Sequence, residues 1–238
     1  MSLLFKIRRK IYKLFYPQWG EILMLHRVVT KRNPLLKNAH LEITPSFLKK
    51  TILEYKAKGY LFVTLDQIRE QLQKGKSFHK KFVSFTFDDG FADNYELAYP
   101  ILKKYNCPFT IFITTSFIGN LAPIDWYEET PKMLTKMQLS ELSKEPLCTI
   151  GSHTLMHPHL TEVGFETQKQ EMLESKQILE QCLGKPVQHF AYPYGDYNQQ
   201  LVQLAEECGY QTAVLCNGNY VRCGQSLFAL NRKIVVEK

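Results

Sequence analysis

Two adjacent carboxylates and two spaced histidines are the residues of this chain best suited to do chemistry. Asp88 and Asp89 follow the apolar run FVSFTF, and His153 and His157 lie four residues apart in SHTLMH. One carboxylate oxygen and two imidazole nitrogens form a ligand set for zinc or a similar divalent cation, with positions left open for water and substrate. We therefore predict that Asp89, His153 and His157 bind a divalent metal, with Zn²⁺ first and other transition metals as alternatives.

The second aspartate of the pair suggests hydrolysis. Neighbouring residues at the end of a strand can point in different directions, so one acid can hold a cation while the other faces a water molecule. Beside a cation a ligating Asp89 stays ionised, and Asp88 within hydrogen-bond reach of the water can act as a general base. Two structural alternatives stay open: the two acids as caps of a helix N-terminus at a βα turn, and one histidine as a hydrogen-bonded core residue.

The elements that must position these residues alternate along the chain. From Ile22 onward, short apolar runs such as ILMLHRV, KFVSFTF and FTIFIT alternate with helical patterns such as TPSFLKKTILEYKAKGY and ETQKQEMLESKQILEQCLG. Strands separated by helices indicate βαβ units and a parallel sheet, either closed as a barrel or open and doubly wound. In both forms functional residues gather at the carboxyl ends of the strands, where these acids and histidines occur.

Three motifs in order resemble the polysaccharide deacetylases, the family-four carbohydrate esterases with a nodulation-factor deacetylase homology domain. They are TFDDG at 86–90, SHTLMH at 152–157 and AYPYG at 191–195, and the likeness runs from about MLHRV to the end of the chain. The resemblance implies a single-domain α/β fold, a distorted (β/α) barrel with about seven parallel strands. It also implies a metal-dependent hydrolase that removes acetyl groups, N-acetyl before O-acetyl, from an acetylated sugar, polysaccharide or glycolipid.

The resemblance assigns roles residue by residue. Asp88 becomes the catalytic base, and the three metal ligands remain those named above. The third motif becomes substrate-binding: the backbone N–H of Tyr194 helps to hold the oxyanion, and Pro193 and Gly195 shape its loop.

The sequence departs from the family pattern in two places. No histidine follows His189, although the family usually supplies an acid histidine near the C-terminus. We predict His26, at the end of the first strand, as the catalytic acid; the alternative is a core histidine. The rivals for the role are His40, His159 and His189, and Asp88 itself if it returns the proton that it accepted.

Ala191 stands where the family often has an arginine that orients the base. Arg232, in the run FALNRKIVV, is our candidate for that base-orienting role if it reaches Asp88 from another strand. The alternative is a solvated surface arginine.

Charge and composition suggest how the chain is organised. Residues 1–16 carry five basic residues and no acid, which is +5 of the net +7 and leaves +2 elsewhere. Apolar residues recur there at helical spacing, which suits either an anionic membrane surface or a helix packed on the domain. We predict residues 1–20 as a basic amphipathic segment and 21–238 as the catalytic barrel. The five basic residues are Lys6, Arg8, Arg9, Lys10 and Lys13.

Partners and location follow from what the sequence contains. The basic residues are not interleaved with stacking aromatics, so we predict no nucleic-acid partner. No secretory signal or run of eighteen apolar residues is readable, so we expect a cytoplasmic location, peripheral at the inner membrane face if the basic segment binds lipid. The six cysteines are scattered singly, which predicts free thiols.

Two other functional classes remain open at this stage. A barrel that lacks the acid histidine could bind glycans without cleaving them, and two histidines with one carboxylate also form the facial triad of non-haem iron oxygenases. Aromatic residues near the motifs are either sugar-stacking surfaces or core residues. They are Trp126, Tyr127, Tyr192, Tyr194 and Tyr197.

Overall fold

A computed structural model describes residues 18–76, 78–121, 127 and 130–237, with side chains from residue 20 onward. The predicted basic segment up to residue 17 and Trp126 lie outside the described residues. The first strand begins at Gln18, so residues 18–20 of the segment predicted for 1–20 belong to the sheet.

Short strands alternate with helices along the whole described chain. The strands are β1 (Gln18–Leu25), β2 (Arg27–Val28), β3 (Glu42–Ile43), β4 (Leu61–Phe62), β5 (Phe82–Phe87), β6 (Phe109–Ile113), β7 (Cys148–Ser152), β8 (His189–Ala191), β9 (Thr212–Val214), β10 (Val221–Arg222) and β11 (Lys233–Ile234). The α-helices are α1 (Pro45–Ala57), α2 (Leu65–Gln73), α3 (Tyr99–Lys104), α4 (Lys136–Lys144), α5 (Phe165–Leu183) and α6 (Gln199–Glu207).

The main sheet is parallel and curls towards a barrel. Its path runs β10-β1-β5-β6-β7-β8-β9, and only the β10–β1 pairing on it is antiparallel. Leu230 forms a parallel bridge with Val214 of β9, and β11 then pairs in parallel with β1. The segment 230–234 therefore spans from one edge of the sheet to the other. The predicted distorted (β/α) barrel of about seven parallel strands is confirmed.

Thr44 before Pro45 predicts a helix start and Gly184 followed by Pro186 predicts a helix stop, and both ends are confirmed by their caps. The Thr44 side chain accepts a hydrogen bond from the N–H of Phe47 at 3.2 Å, and Pro45 occupies the first turn of α1. Gly184 ends α5 in the left-handed conformation with φ 65°, which glycine adopts without a steric penalty.

Other boundaries differ from the sequence pattern. The pattern of ELAYPILKKY predicts one helix, but the structure has a π-helical turn, Asn94–Ala98, before α3. Pro100 has no N–H with which to continue an α-helical ladder there. The sequence of the stretch 217–226 predicts a loop, but the stretch contains β10. That strand has two residues, which is too short to show a periodicity.

The core lies between the curled sheet and its helices, and also inside the curl. All residues of β5 and β6 are buried, as parallel strands covered on both faces should be. The six cysteines are free thiols, as predicted. Within the described ranges, every helix is too short or too polar to span a bilayer.

Candidate active site

The turn after β5 sends its two carboxylates in different directions. The N–H of Asp88 continues the ladder by donating to the carbonyl of Leu25 at 2.9 Å, and the chain then turns through Asp89 and Gly90 at φ 73° and 84°. A left-handed aspartate is an uncommon, strained conformation that is often found at functional sites. Gly90 suits this turn because of its positive φ, whereas a Cβ there would lie 2.9 Å from Cδ1 of Ile113, the end of a side chain that can shift.

Asp89 meets the two histidines of the second motif in a buried cluster. Its Oδ1 lies 3.5 Å from Nε2 of His153 and 3.5 Å from Nε2 of His157, and the two Nε2 atoms are 3.1 Å apart. Ligands about 2.1 Å from a tetrahedral zinc ion are roughly 3.4 Å from one another. The three atoms are therefore spaced as ligands of one cation, and they are the metal-ligand group found among the described residues.

The electrostatics of the cluster also fit a cation. Both carboxylate oxygens of Asp89 are buried and have no hydrogen-bond partner among the described residues. Burial, and then the charge of Asp88, raise the pKa of Asp89, so an ionised Asp89 needs a positive partner. Burial lowers the pKa of both His153 and His157, which favours the neutral imidazoles that bind metals.

A hydrogen bond fixes the tautomer of one ligand. Nδ1 of His153 lies 2.8 Å from the carbonyl oxygen of Ala191, and a carbonyl only accepts, so Nδ1 carries the proton. The lone pair of Nε2 then faces Asp89 and His157, an arrangement common for metal-binding histidines. The residues fit a divalent cation, although two imidazoles and a carboxylate suit several transition metals, so zinc itself stays a prediction.

Asp88 is bound at both oxygens by Arg232. The NH1–Oδ1 and NH2–Oδ2 distances are both 2.6 Å, and the two residues are 1–2% exposed. The guanidinium also donates from Nε to the carbonyl of Leu215 and from NH1 to Oγ1 of Thr86. Burial alone would raise the pKa of Asp88, but the charge of Arg232, with a smaller effect of His153, holds that pKa below its usual range. The predicted contact is thus formed, and the surface alternative for Arg232 is wrong.

His26 is partly buried and lines the same cavity as Asp88 and the metal ligands. Burial lowers the pKa of His26 to about 4, so its imidazole is neutral at pH 7. Two side chains from the segment that follows the first motif bind the backbone around His26. Asn94 Nδ2 donates to the carbonyl of His26 at 2.7 Å, and Asp93 Oδ1 accepts from the N–H of Val28 at 3.0 Å. Sequence reasoning missed Asp93 and Asn94, although both lie in FADN directly after DDG.

The other histidines predicted as rivals separate clearly. His40 is exposed and lies at the cavity. His159 Nδ1 contacts Oδ2 of Asp196 at 2.6 Å, and His189 is buried with Nδ1 2.8 Å from Oγ1 of Thr212. Neither His159 nor His189 lines the cavity, so His40 is the histidine that remains as a rival to His26, beside Asp88 itself.

The third motif forms a tight turn at the cavity. Pro193 is buried, and Tyr194 is left-handed at φ 58° and 45% exposed. Gly195 has φ 76°, and a Cβ there would lie 2.7 Å from Cβ and 2.9 Å from the backbone N of Cys216. The turn therefore requires glycine for two independent reasons, its backbone conformation and its packing.

The predicted aromatic surfaces divide into buried and exposed residues. Tyr127 packs edge-on against Phe91, and Tyr192 is 1% exposed and donates to the carbonyl of Phe228 at 3.0 Å. Tyr194 and Tyr197 are nearly half exposed. Tyr127 and Tyr192 therefore pack in the core, where Tyr192 also borders the cavity, while the other two are accessible to a ligand.

The cavity brings all but one of the predicted site residues together. It has a volume of about 260 Å³. Pro193 is the exception, and it precedes two lining residues. The lining includes Met24, His26, Asn38, His40, Asp88, Asp89, His153, His157, Tyr192, Tyr194, Gly195, Cys216 and Arg232.

Comparison with known proteins identifies the family to which this chain belongs. Residues 75–213 match the sequence model described as polysaccharide deacetylase. This chain belongs to the polysaccharide deacetylase family. The match contains all three motifs, while His26 and Arg232 lie outside it.

Relatives in the family are about 30% identical to this chain over the residues that align. A Bacillus subtilis protein named as a polysaccharide deacetylase, YxkH, is 33% identical over 174 residues, which cover 73% of this chain and 58% of that protein. The poly-beta-1,6-N-acetyl-D-glucosamine N-deacetylase of Staphylococcus epidermidis is 28% identical over 84% of this chain and 73% of that protein. The chain thus spans less than two thirds of the Bacillus relative.

Solved structures show the same fold. The Streptococcus pyogenes deacetylase PplD, in complex with acetate, has a TM-score of 0.77 and 28% identity, with 91% of this chain and 92% of that chain covered. IcaB from Ammonifex degensii has a TM-score of 0.79 at 23% identity and covers 92% of each chain.

Proposed function

We propose that this protein is a metal-dependent deacetylase that removes acetyl groups, N-acetyl in the first place, from sugar units of a polymer. One observation carries the proposal: the paired acids have different partners. Asp88 is bound by Arg232, whereas Asp89 joins two imidazole nitrogens. Family membership supports the same reaction.

The residues divide the reaction between them. A divalent cation held by Asp89, His153 and His157 would supply a Lewis acid for the acetyl carbonyl and would lower the pKa of water. Asp88, kept ionised by Arg232, accepts a proton from water as the water oxygen bonds to the acetyl carbon. The C–N bond then breaks, acetate leaves, and the sugar nitrogen gains a proton.

His26 is the residue to which we assign delivery of that last proton. Its side chain lies at the same cavity as Asp88; burial lowers the pKa of His26, and the charge of Asp88 opposes part of that shift. Since a pKa of about 4 leaves His26 neutral at rest, it must take up its proton during turnover, and the proton accepted by Asp88 is a source within the cavity. We assign the backbone N–H of Tyr194 to the developing oxyanion, on the support of its tight turn at the cavity.

A β-1,6-linked N-acetylglucosamine polymer is the substrate that we propose. The support comes from relatives of this name in two Staphylococcus species, 28% and 31% identical to this chain. The cavity of about 260 Å³ is smaller than the roughly 300–1,000 Å³ typical of pockets that enclose drug-sized ligands. One acetylated unit therefore enters while the rest of the chain crosses the mouth.

Acetate release from β-1,6-linked N-acetylglucosamine oligosaccharides tests the proposal, with β-1,4-linked and O-acetylated oligosaccharides as parallel substrates. Chelation should abolish release, and added zinc or cobalt should restore it. Asp88→Asn should still bind the metal, while its turnover falls by about 10²-fold or more. Asp89→Asn should lose both the bound metal and turnover.

Two outcomes would favour the competing functional classes. Metal and glycan binding without acetate release, even from wild-type protein loaded with metal, would indicate a non-catalytic glycan-binding barrel. Oxygen consumption that requires iron and an oxo-acid would indicate an oxygenase.

A further inference from the structure

The loop that joins the two histidine ligands has an uncommon backbone. Thr154 and His157 have φ values of 67° and 61°. The left-handed region is disfavoured for every residue with a Cβ and most strongly for a β-branched one such as threonine. Such conformations persist only where surrounding contacts hold them. The loop therefore needs anchors, and these anchors also set the distance between the imidazoles.

One anchor lies on the sheet side of the loop and comes from neighbouring backbone. The N–H of Thr115 donates to the carbonyl of Thr154 at 3.1 Å, and the N–H of Ser116 donates to the carbonyl of Leu155 at 3.0 Å. Within the loop, the N–H of His157 donates to Oγ1 of Thr154 at 3.0 Å. These bonds satisfy loop carbonyls and one N–H, and they leave the N–H groups of Leu155 and Met156 to another partner.

That partner is the carboxylate of Glu171, which reaches the loop from α5. Its Oε2 accepts from the N–H of Leu155 at 2.9 Å and from the N–H of Met156 at 2.8 Å, and Glu171 is 7% exposed. Hydrogen bonds to an ionised acceptor are roughly twice as strong as neutral ones. Removing the carboxylate would also leave two amides without partners, which is costly when they are shielded from water.

We propose that Glu171 is a positioning residue of the candidate metal centre: by binding the amides of Leu155 and Met156, it holds His157 against His153 and so raises the affinity for the cation. This inference rests on the metal site of the proposed function. Glu171 does not touch the ligands' ring atoms in the contacts described, so it acts through the loop. A partner that orients metal ligands typically changes metal affinity by about 10–100-fold when it is removed.

The test measures metal binding directly, without an activity assay. Zinc affinity is measured by competition with a chromophoric chelator, and the coordination of Co²⁺ is followed by its visible absorption spectrum. Glu171→Leu removes the acceptor at similar size and should weaken zinc binding about 10–100-fold and alter the cobalt spectrum. Glu171→Gln keeps an oxygen that can accept from both amides and should remain within a few-fold of wild type.

A matched control separates positioning from general stability. Leu179 is fully buried on the same helix, and its apolar side chain cannot accept a hydrogen bond from the loop. Leu179→Ala should therefore lower the melting temperature and leave zinc affinity unchanged. The inference is overturned if Glu171→Leu binds zinc as wild type does, or if Leu179→Ala weakens binding equally. If Glu171→Leu does not fold, Glu171→Asp withdraws the carboxylate by one methylene, and unchanged affinity in that variant overturns the inference too.

The proposed metal site and the inference fail in different ways. If wild-type protein and Asp89→Asn both lack zinc binding, the metal site itself is wrong. If wild-type protein binds zinc and Asp89→Asn does not, the site stands, and the Glu171 variants alone decide the role of that residue.

Discussion

Arg232 holds Asp88 through two parallel hydrogen bonds of 2.6 Å, with both side chains almost fully buried. This bidentate geometry fixes the orientation of the carboxylate as well as its charge. Arg232 directly precedes β11, and we propose that it takes the orienting role of the arginine that the family often places at the position of Ala191.

Replacing Arg232 with methionine should lower turnover by about 10–100-fold and move the acid limb of the pH–rate profile to higher pH. The sign follows from the charge: Arg232 lowers the pKa of Asp88, so its loss raises that pKa, and the base becomes protonated at a higher pH. Arg232→Lys, which keeps the charge but not the two-point contact, should fall between the two proteins. An unchanged profile and turnover would contradict the assignment, provided that thermal unfolding shows a folded variant.

His26→Ala should depress turnover by about 10²-fold or more, because the variant loses the group that protonates the leaving nitrogen. His40→Ala is the matched control, since His40 is exposed at the same cavity, and it should change turnover only a few-fold. Steady-state kinetics on both variants decide between them. The reverse ranking would transfer the acid role to His40.

Gly195→Ala should lose both stability and activity. A left-handed alanine costs roughly 1–2 kcal/mol, and its Cβ would also meet the backbone of Cys216 at 2.9 Å. Gly184→Ala is the control, because Gly184 has a similar φ of 65° but no described atom within 4 Å of the place where a Cβ would lie. Denaturant unfolding should show a larger loss for position 195, and equal losses would show that the packing against Cys216 does not matter.

Replacing the five basic residues of the segment 1–16 with glutamine tests the membrane prediction without shortening the chain. Each basic residue near an anionic surface contributes about 1 kcal/mol of binding free energy. We expect wild-type protein to sediment with phosphatidylglycerol vesicles at low salt but not with phosphatidylcholine vesicles, and the variant to stay in the supernatant with both. Equal sedimentation of the two proteins would remove the proposed membrane contact, and the inner-membrane location with it.

The sequence predicted the parts of the site that carry chemical types at strand ends. Asp89, His153 and His157 were predictable because parallel strands bring their carboxyl ends to one edge, so residues far apart in sequence meet there. The sequence could not decide whether Arg232 contacts Asp88 or lies on the surface, because the contact depends on how the sheet curls. The curvature of a sheet leaves no periodic pattern of residue types in the sequence.

Residues that act through backbone groups were not predictable. Asn94 binds the carbonyl of His26, and Glu171 binds two amides of the histidine loop. Their partners are peptide groups, which every residue has, so no residue type or spacing marks such a pair. The sequence also could not decide whether Tyr127 and Tyr192 are buried, because an aromatic side chain suits a core and a sugar-binding surface alike.

The segment 230–234 links the two edges of the curled sheet. It bridges β9 and β1, and it carries Arg232. The cation ligands instead follow β5 and β7, neither of which pairs with this segment. If segment 230–234 separated from β1, Arg232 would lose its contact with Asp88, while Asp89, His153 and His157 would stay together. We therefore expect a ligand that binds between segment 230–234 and β1 to lower turnover without lowering the metal content of the protein.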